Sequence, residues 1–259
     1  MQAKKILSSK KLKTLILFSL CVIFYPFSYG QSSVEAIKTD TLHRKVNKPP
    51  QLRIGAQKGF GYRTAPIPSN NYPTVKNHLK KLKNNRSYGA DISYYFTKNC
   101  QSCKIRPDIG IGAKYNVINA SASTTKMPIT VENKTIYVPL SEKVKIHYIG
   151  GFIAARQFVT PNNRHCFLVN VGSGYLMYKN NLKINAKKED VKGETATFFT
   201  KIGYDFLATK YIAIGIQVSM AVGWLSAVNF TTGKRIVFDK NQREDVSHID
   251  ISLGLRFYK

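Results

Sequence analysis

The segment ATFFTKIGYDFLATKYIAIGIQVSMAVGW, residues 196–224, decides the fold of this chain because its side chains alternate with a period of two. After residue 211 the large apolar positions are Ile212, Ile214, Ile216, Val218, Met220, Val222 and Trp224. The residues between them are Ala213, Gly215, Gln217, Ser219, Ala221 and Gly223. A soluble β-sandwich fills its inward face with bulky residues, whereas here one face is nearly empty. The pattern therefore predicts a transmembrane β-hairpin, with its apolar face toward lipid and its small or polar face toward a narrow lumen.

The same alternation recurs along the chain and predicts eight strands, two of them within 196–224. The other six are 52–62, 86–97, 105–117, 143–156, 165–178 and 246–257. The connections alternate between long and short, as in outer-membrane barrels, which have short periplasmic turns and long external loops. The sequence thus predicts an all-β protein, an eight-stranded antiparallel up-and-down transmembrane β-barrel; ten strands would form if the loops supply an extra pair.

Two strands carry features that test this register. In strand 143–156 we expect Val144, Ile146, Tyr148, Phe152 and Ala154 to face outward, which turns Lys145 and His147 inward. In strand 52–62, Lys58 falls on the lipid face. Its side chain either snorkels to the membrane surface or marks a β-bulge that shifts the strand.

The N-terminus has the features of a secretory signal peptide. Five lysines precede a thirteen-residue apolar run, Leu15 to Phe27, and the small residues Ser28 and Gly30 follow it. We therefore predict three segments: a signal peptide at 1–30 cleaved near Gly30, a flexible periplasmic tail at 31–50, and an outer-membrane barrel domain at 51–259. The protein would reside in the outer membrane.

The composition constrains the partners. The chain has 259 residues and a formal net charge of +26, which becomes +21 when the five lysines of the signal peptide are removed. Its mean hydropathy of −0.22 resembles that of a soluble protein, but alternating strands need no long apolar run. Excess positive charge favours anionic partners. For an exported chain we expect outer-membrane lipid and lipopolysaccharide, and no nucleic acid.

At its most specific stretches the chain resembles the small outer-membrane β-barrel family, the OmpA/OmpX-like or "porin family" barrels of Gram-negative bacteria. These stretches are GYDFLATKYIAIGIQVSMAVGWL at 203–225 and HIDISLGLRFYK at 248–259. The resemblance covers 52–257 and implies that Phe257, near the end of the last strand, is the signal for the barrel assembly machinery, although Tyr258 and Lys259 follow it. Members of this family include adhesion and serum-resistance proteins, secretion accessory barrels and lipid-modifying enzymes.

Three cysteines remain after signal cleavage. Cys100 and Cys103 form a CxxC motif that predicts a small disulfide, or free thiols, in a turn of an exported protein. A metal or redox centre is the alternative, but no second CxxC and no histidines at ligand spacing accompany the motif. We predict no cofactor and no metal, and we expect Cys166 to face the barrel interior.

An eight-stranded barrel is just wide enough for side chains to fill it. The predicted inward polar residues form an ion-pair network that plugs the lumen, since buried charges need partners; a gated ion path is the alternative. The network comprises Asp91, Arg106, Asp108, Lys114, Lys145, His147, Lys201, Asp205, His248, Asp250 and Arg256. His248, Asp250 and Ser252 share one face, but same-face residues on a strand lie nearly 7 Å apart, too far for a catalytic triad.

The predicted external loops carry a further candidate site, the basic run KNHLKKLK. Its lysines, which could bind an anion or simply be solvated, are Lys76, Lys80, Lys81 and Lys83. We predict a non-catalytic structural or surface-interaction role through four long external loops. The alternatives are an accessory barrel for protein secretion or motility, a narrow pore and, last, a lipid-modifying enzyme; a soluble lipocalin-like barrel would need a hydrophilic exterior.

Overall fold

The computed structural model describes residues 49–67, 72–96, 107–131, 134–159, 164–185, 187–239 and 242–259. The predicted signal peptide, the tail up to residue 48, Cys100, Cys103 and Arg106 lie outside these ranges. Eight strands form the barrel: β1 (Leu52–Arg63), β2 (Asn84–Phe96), β3 (Asp108–Val131), β4 (Lys134–Phe158), β5 (His165–Ile184), β6 (Lys187–Leu207), β7 (Ile212–Val222) and β12 (His248–Tyr258). Four short strands lie between β7 and β12: β8 (Trp224–Leu225), β9 (Ala227–Phe230), β10 (Arg235–Val237) and β11 (Glu244–Asp245).

The eight long strands close into a ring. Consecutive strands pair antiparallel from β1 to β7, and β12 then pairs with both β7 and β1. Because this ring is closed by hydrogen bonds on every side, the predicted eight-stranded antiparallel up-and-down barrel is confirmed. Of the short strands, β9 pairs with the extension of β6 and β10 pairs with β9, while β8 pairs with β11. None of them lies between two strands of the ring, so the ring formed by the described residues has eight strands.

The register of the ring sets its geometry. The row of paired residues that starts at Leu52 on β1 passes through Tyr94, Ile111, Ile153, Val171, Thr200, Met220 and Ile249, and returns to β1 at Tyr62. This offset of ten residues along β1 is the stagger that tilts the strands against the barrel axis, by about 35–45° in typical barrels. A ring of eight strands leaves an interior that side chains fill.

The outward face of the ring is an apolar belt. Phe60 is 74% exposed, Ile153 is 64% exposed and Leu253 is 59% exposed, although all three lie in the middle of regular strands. A soluble protein rarely leaves so large a contiguous apolar surface in water, but the exterior of a transmembrane barrel consists of such a band. Lys58 also points outward from an unbroken β1, and its ammonium lies 5.7 Å from the ring centroid of Tyr88. The predicted transmembrane barrel is thereby confirmed, and Lys58 marks no bulge.

The predicted orientation of β4 is wrong. Val144, Ile146 and Tyr148 are buried inside the ring, whereas Lys145 and His147 point outward, so these two residues do not belong to the interior network. The apolar side chains of β4 complete a buried cluster that we call the loop-end core, because it fills the barrel at the end opposite Leu52 and Tyr258. Its residues are Leu82, Ile118, Ala120, Ala122, Val144, Ile146, Leu176, Tyr178, Val191, Leu225, Val228 and Val246.

Two segments predicted as loops are strands. The described residues of 118–142 and 179–195 continue β3 to Val131, β4 from Lys134, β5 to Ile184 and β6 from Lys187, well past the apolar belt. Their Ser, Thr, Asn and Lys content suggested loops, but polar residues are tolerated in strands that water surrounds, and the interspersed β-branched residues favour strand structure. The register of β3 against β4 shifts once, between Thr124 and Met127.

The first predicted loop contains a helix, α1 (Pro73–Lys83). Proline at the first helical position and lysines in the last turn are both favourable at those ends of a helix. His78 and Leu82, one turn apart, are buried, and Leu82 joins the loop-end core. Within the described ranges, no helix is both long enough and apolar enough to cross a membrane.

The inverted orientation of β4 predicts a difference in chemical accessibility. In a background whose native cysteines are replaced by serine, a polar maleimide should label the Lys145→Cys variant in the folded protein. The Ile146→Cys variant should react only after unfolding, because residue 146 is fully buried. Mass spectrometry measures both rates, and faster labelling at position 146 than at 145 would contradict the orientation.

Candidate functional site

The lumen is filled by a network of buried charges centred on Arg53. Its guanidinium donates to Asp205, with 2.8 Å between Nε and Oδ2, and to Asp91 on the neighbouring strand. Lys201 Nζ donates to the other carboxylate oxygen of Asp91 at 2.9 Å. Both carboxylates are fully buried. Strands β1, β2 and β6 are thereby joined through the interior by paired opposite charges.

A second set of contacts extends this network toward β7 and β12. The Tyr258 hydroxyl donates to Asp205 Oδ2 at 2.6 Å, and Arg256 Nε lies 3.8 Å from Asp205 Oδ1. Arg256 also donates to the side-chain oxygen of Gln217 at 3.1 Å. The structure therefore places the predicted residues Asp91, Lys201, Asp205 and Arg256 in one connected network.

Nearer the loop end lies a separate group made of Lys114, His248 and Asp250. His248 Nε2 is 3.3 Å from Asp250 Oδ2, and its Nδ1 donates to the Val246 carbonyl at 3.2 Å. Lys114 Nζ donates to Ser219 Oγ at 3.5 Å and lies 5.2 Å from the ring centroid of Phe199. An ammonium over an aromatic face is stabilised electrostatically.

Asp108 belongs to a third group of charges, at the end of the barrel where Leu52 and Lys259 lie. It accepts a hydrogen bond from Arg156 Nε at 3.0 Å, and Arg156 also donates to the Pro50 carbonyl. The sequence prediction did not include Arg53 or Arg156 in the network. Arg53 could have been found because it occupies an inward position of β1, on the same face as Gly55. The inverted orientation of β4, in contrast, turned Arg156 outward.

Bulky side chains fill the rest of the lumen. The loop-end core lies beyond the charges, toward the loop end. Alongside the charges lies an inner cluster of buried residues: Tyr95, Tyr148, Phe152, Ala154, Cys166, Leu168, Phe199, Leu207, Ala213, Ala221 and Tyr258. Cys166 faces the interior as predicted. His248 is 2% exposed and Asp250 is 3% exposed, so a bulky substrate cannot reach this pair without displacing core side chains.

The lysines of α1 lie on the solvent side of the helix. Lys76, Lys80 and Lys81 are exposed, while Lys83 donates to the Tyr62 hydroxyl at 3.3 Å. The opposite side of the helix holds His78, whose Nε2 lies 3.1 Å from Glu142 Oε2. The helix therefore presents a small basic surface above the rim of the barrel; its predicted anion binding stays a prediction.

The remaining predicted residues lie on the outer surface of the ring. His147 Nδ1 is 2.7 Å from the Tyr115 hydroxyl near the edge of the apolar belt. Phe257 is 50% exposed within the belt, as an assembly signal near the end of the last strand requires, although its role stays a prediction. Among the described residues, no group of three or more His, Cys, Asp or Glu side chains could hold a metal ion.

No protein-family model matches the sequence, and no curated protein matches it significantly. Several solved outer-membrane β-barrels resemble the chain. Neisserial surface protein A is 10% identical over 80% of this chain and 97% of its own, with a TM-score of 0.42. The outer membrane protease OmpT from Escherichia coli is 6% identical over 82% of this chain and 98% of its own, with a TM-score of 0.47. OprG from Pseudomonas aeruginosa is 9% identical over 81% and 95%, with a TM-score of 0.46.

The buried pairing of Asp205 predicts a large effect of its substitution. Asp205→Asn removes the charge that faces Arg53 and Arg256, and breaking a buried pair in this way costs about 3–5 kcal/mol. We expect a clearly lower denaturant midpoint for the folded barrel, measured by the gel shift between folded and unfolded forms. Asp190→Asn removes the same charge from an exposed hairpin and should change the midpoint little. Equal midpoints for the wild type and Asp205→Asn would contradict the network.

Proposed function

We propose that this chain is an integral protein of the bacterial outer membrane with a structural or surface-interaction role and no catalytic activity. The closed ring with its outward apolar belt is the observation that carries the proposal. Only helices and closed barrels satisfy every backbone hydrogen bond inside a bilayer. Barrels of this kind place their short turns in the periplasm and their long segments outside. The loop end would therefore face the exterior, and the end of the barrel at Leu52 and Lys259 would face the periplasm.

The filled lumen supports a closed barrel over a pore. The charges of the interior face one another at hydrogen-bond distance. The inner cluster packs alongside them, and the loop-end core packs beyond them. An ion would have to break buried pairs and displace apolar side chains in order to cross. The side chains of the lumen would then hold the ring rigid. Partners would bind to the surface that extends beyond the membrane.

The position of the titratable groups supports a role without catalysis. The pair of His248 and Asp250 is buried below the loop-end core, and Ser252 lies on the same strand at a spacing that prevents a triad. A hydrolase acting on lipid or peptide would need these groups in an open cleft. Secretion or motility accessory functions require a partner at the exposed hairpins and remain compatible with the closed barrel.

The apolar belt and the last strand imply the membrane partners. The belt would contact outer-membrane lipid on the periplasmic side and lipopolysaccharide on the outer side. Phe257 would serve as the contact for the barrel assembly machinery, since it points into the lipid phase near the end of β12.

Fractionation tests the proposed location and fold together. The protein should be recovered in the outer-membrane fraction, and an unboiled sample should migrate differently from a boiled one, because the closed ring resists detergent at room temperature. Immunoblotting of both samples beside a soluble periplasmic marker gives the measurement. Recovery with the periplasmic marker and no shift on boiling would refute the proposal.

Conductance measurements in planar bilayers distinguish a closed barrel from a pore. The purified protein, shown to be folded by its shift on boiling, should produce no steady single-channel conductance across a range of voltages. A large porin reconstituted in parallel controls for insertion and sensitivity. Reproducible unitary currents from the folded protein would show that the barrel conducts and would refute the proposal of a closed lumen.

A further inference from the structure

The outward side of the β4–β5–β6 extension carries a surface that the proposed function leaves unexplained. Beyond the apolar belt, six lysines point away from the barrel axis on three neighbouring strands. We call them the basic face: Lys143, Lys145, Lys179, Lys183, Lys188 and Lys192. All of them are exposed except Lys179, which is half-buried. They lie on the reverse side of the strands that pack into the loop-end core.

The register places these lysines against one another. Lys145 pairs across the ladder with Lys179, Lys179 pairs with Lys192, and Lys183 pairs with Lys188. Neighbouring strands are about 4.8 Å apart, and like charges directly opposite each other destabilise a sheet. Lys145, Lys179 and Lys192 therefore form a ladder of ammonium groups across the three strands. No carboxylate lies between its members in the register.

The acidic residues described on this face neutralise only part of its charge. Asp190 Oδ2 lies 3.4 Å from Lys179 Nζ, and Asn181 donates a hydrogen bond to the same carboxylate. That hydrogen bond lowers the pKa of Asp190, so this carboxylate stays ionised and pairs with Lys179. Glu194 lies nearer the membrane, beside Met177 in the register. The other five lysines keep most of their charge unbalanced.

A cleft lies at the distal end of the same face. It is an open depression of about 500 Å³ that spans the irregular part of β3, the neighbouring part of β4 and the end of β5. Ser123, Thr125 and Ser141 line it with hydroxyl groups, and Lys183 of the basic face contributes to its wall. The backbone N–H of Asn185, a residue with a positive φ of 54°, donates to the Pro139 carbonyl at 3.0 Å and joins the two hairpins here.

We infer that the basic face and its cleft bind a linear polyanionic saccharide that bears phosphate or sulfate groups. A chain lying across β4, β5 and β6 would meet Lys145, Lys179 and Lys192 in turn. Lys183, four residues farther along β5, connects this ladder to the hydroxyl-lined cleft. The spacing of the ladder is close to the length of one sugar unit, and hydroxyl, amide and ammonium groups are the partners that sugars and their anionic substituents require. An acidic protein would need apolar anchors at the centre of its interface, whereas the centre of the basic face is the lysine ladder. This inference rests on the proposed exposure of the loop end at the cell surface.

The test uses the full mature chain reconstituted in vesicles of phosphatidylcholine, which has no net charge. The probes are a fluorescent sulfated hexasaccharide, a phosphorylated core oligosaccharide released from its lipid anchor, and a neutral dextran of similar length. We expect salt-sensitive binding of at least one charged probe and none of dextran. The triple substitution Lys145→Gln, Lys179→Gln and Lys192→Gln should weaken that binding at least about tenfold.

A matched control separates the ladder from net charge alone. The triple substitution Lys76→Gln, Lys80→Gln and Lys81→Gln on α1 removes the same charge from another exposed surface and should leave binding nearly unchanged. Asp190→Asn should strengthen binding, because it removes the carboxylate that pairs with Lys179. The ladder variant should be at least as resistant to boiling as the wild type, since it loses two like-charge pairs.

Each outcome decides the inference. Loss of binding confined to the ladder variant supports it, and the probe that binds shows whether the saccharide is phosphorylated or sulfated. An equal loss of probe binding in the helix variant would show nonspecific electrostatic attraction and would overturn the inference. Absence of binding by a protein that still shifts on boiling would also overturn it, while the proposed outer-membrane barrel would stand.

Discussion

The pairing of β12 with β1 is the interaction on which the rest of the structure depends. Both chain ends of the barrel meet there, where Leu52 and Lys259 exchange backbone hydrogen bonds of 2.7 and 2.9 Å. Without this ladder two strands would expose a row of unpaired N–H and C=O groups to lipid, at a cost of several kcal/mol for each group. Closure after eight strands then limits the width of the interior, so the side chains that point inward must fill it.

Charged side chains fill much of the interior. Because they occupy the lumen, they limit which surfaces of the barrel can bind a partner. Arg53 lies between Asp91 and Asp205, and each aspartate has a second cationic partner, so the buried groups compensate one another across strands that are distant in sequence. Such a network is expensive to break, because removal of one partner leaves the opposite charge buried and unpaired. A lumen filled in this way leaves the belt, the helix α1 and the extended hairpins as the surfaces that partners could reach.

The sequence predicted the ring well and one strand badly, for a single physical reason. In β7 the lipid face is bulky and the lumen face is small or polar, so Ile214 and Gln217 could be assigned to opposite sides without doubt. In β4 both faces are apolar where the strand leaves the membrane, because Ile146 packs in the loop-end core while Ile149 faces lipid. Alternation alone does not say which apolar face is inside. The error moved Lys145 and His147 inward and turned Arg156 outward.

The extended hairpins show how an unfavourable surface is tolerated. Cross-strand lysine pairs weaken β4, β5 and β6 beyond the membrane, where water screens them only in part. The opposite face of the same strands contributes Val144, Leu176 and Val191 to the loop-end core, and this burial offsets the repulsion. Composition suggested loops for these segments, because Lys, Ser and Asn are common in loops. The strands persist because one face is held by the core, and this leaves the other face free to concentrate positive charge above the membrane.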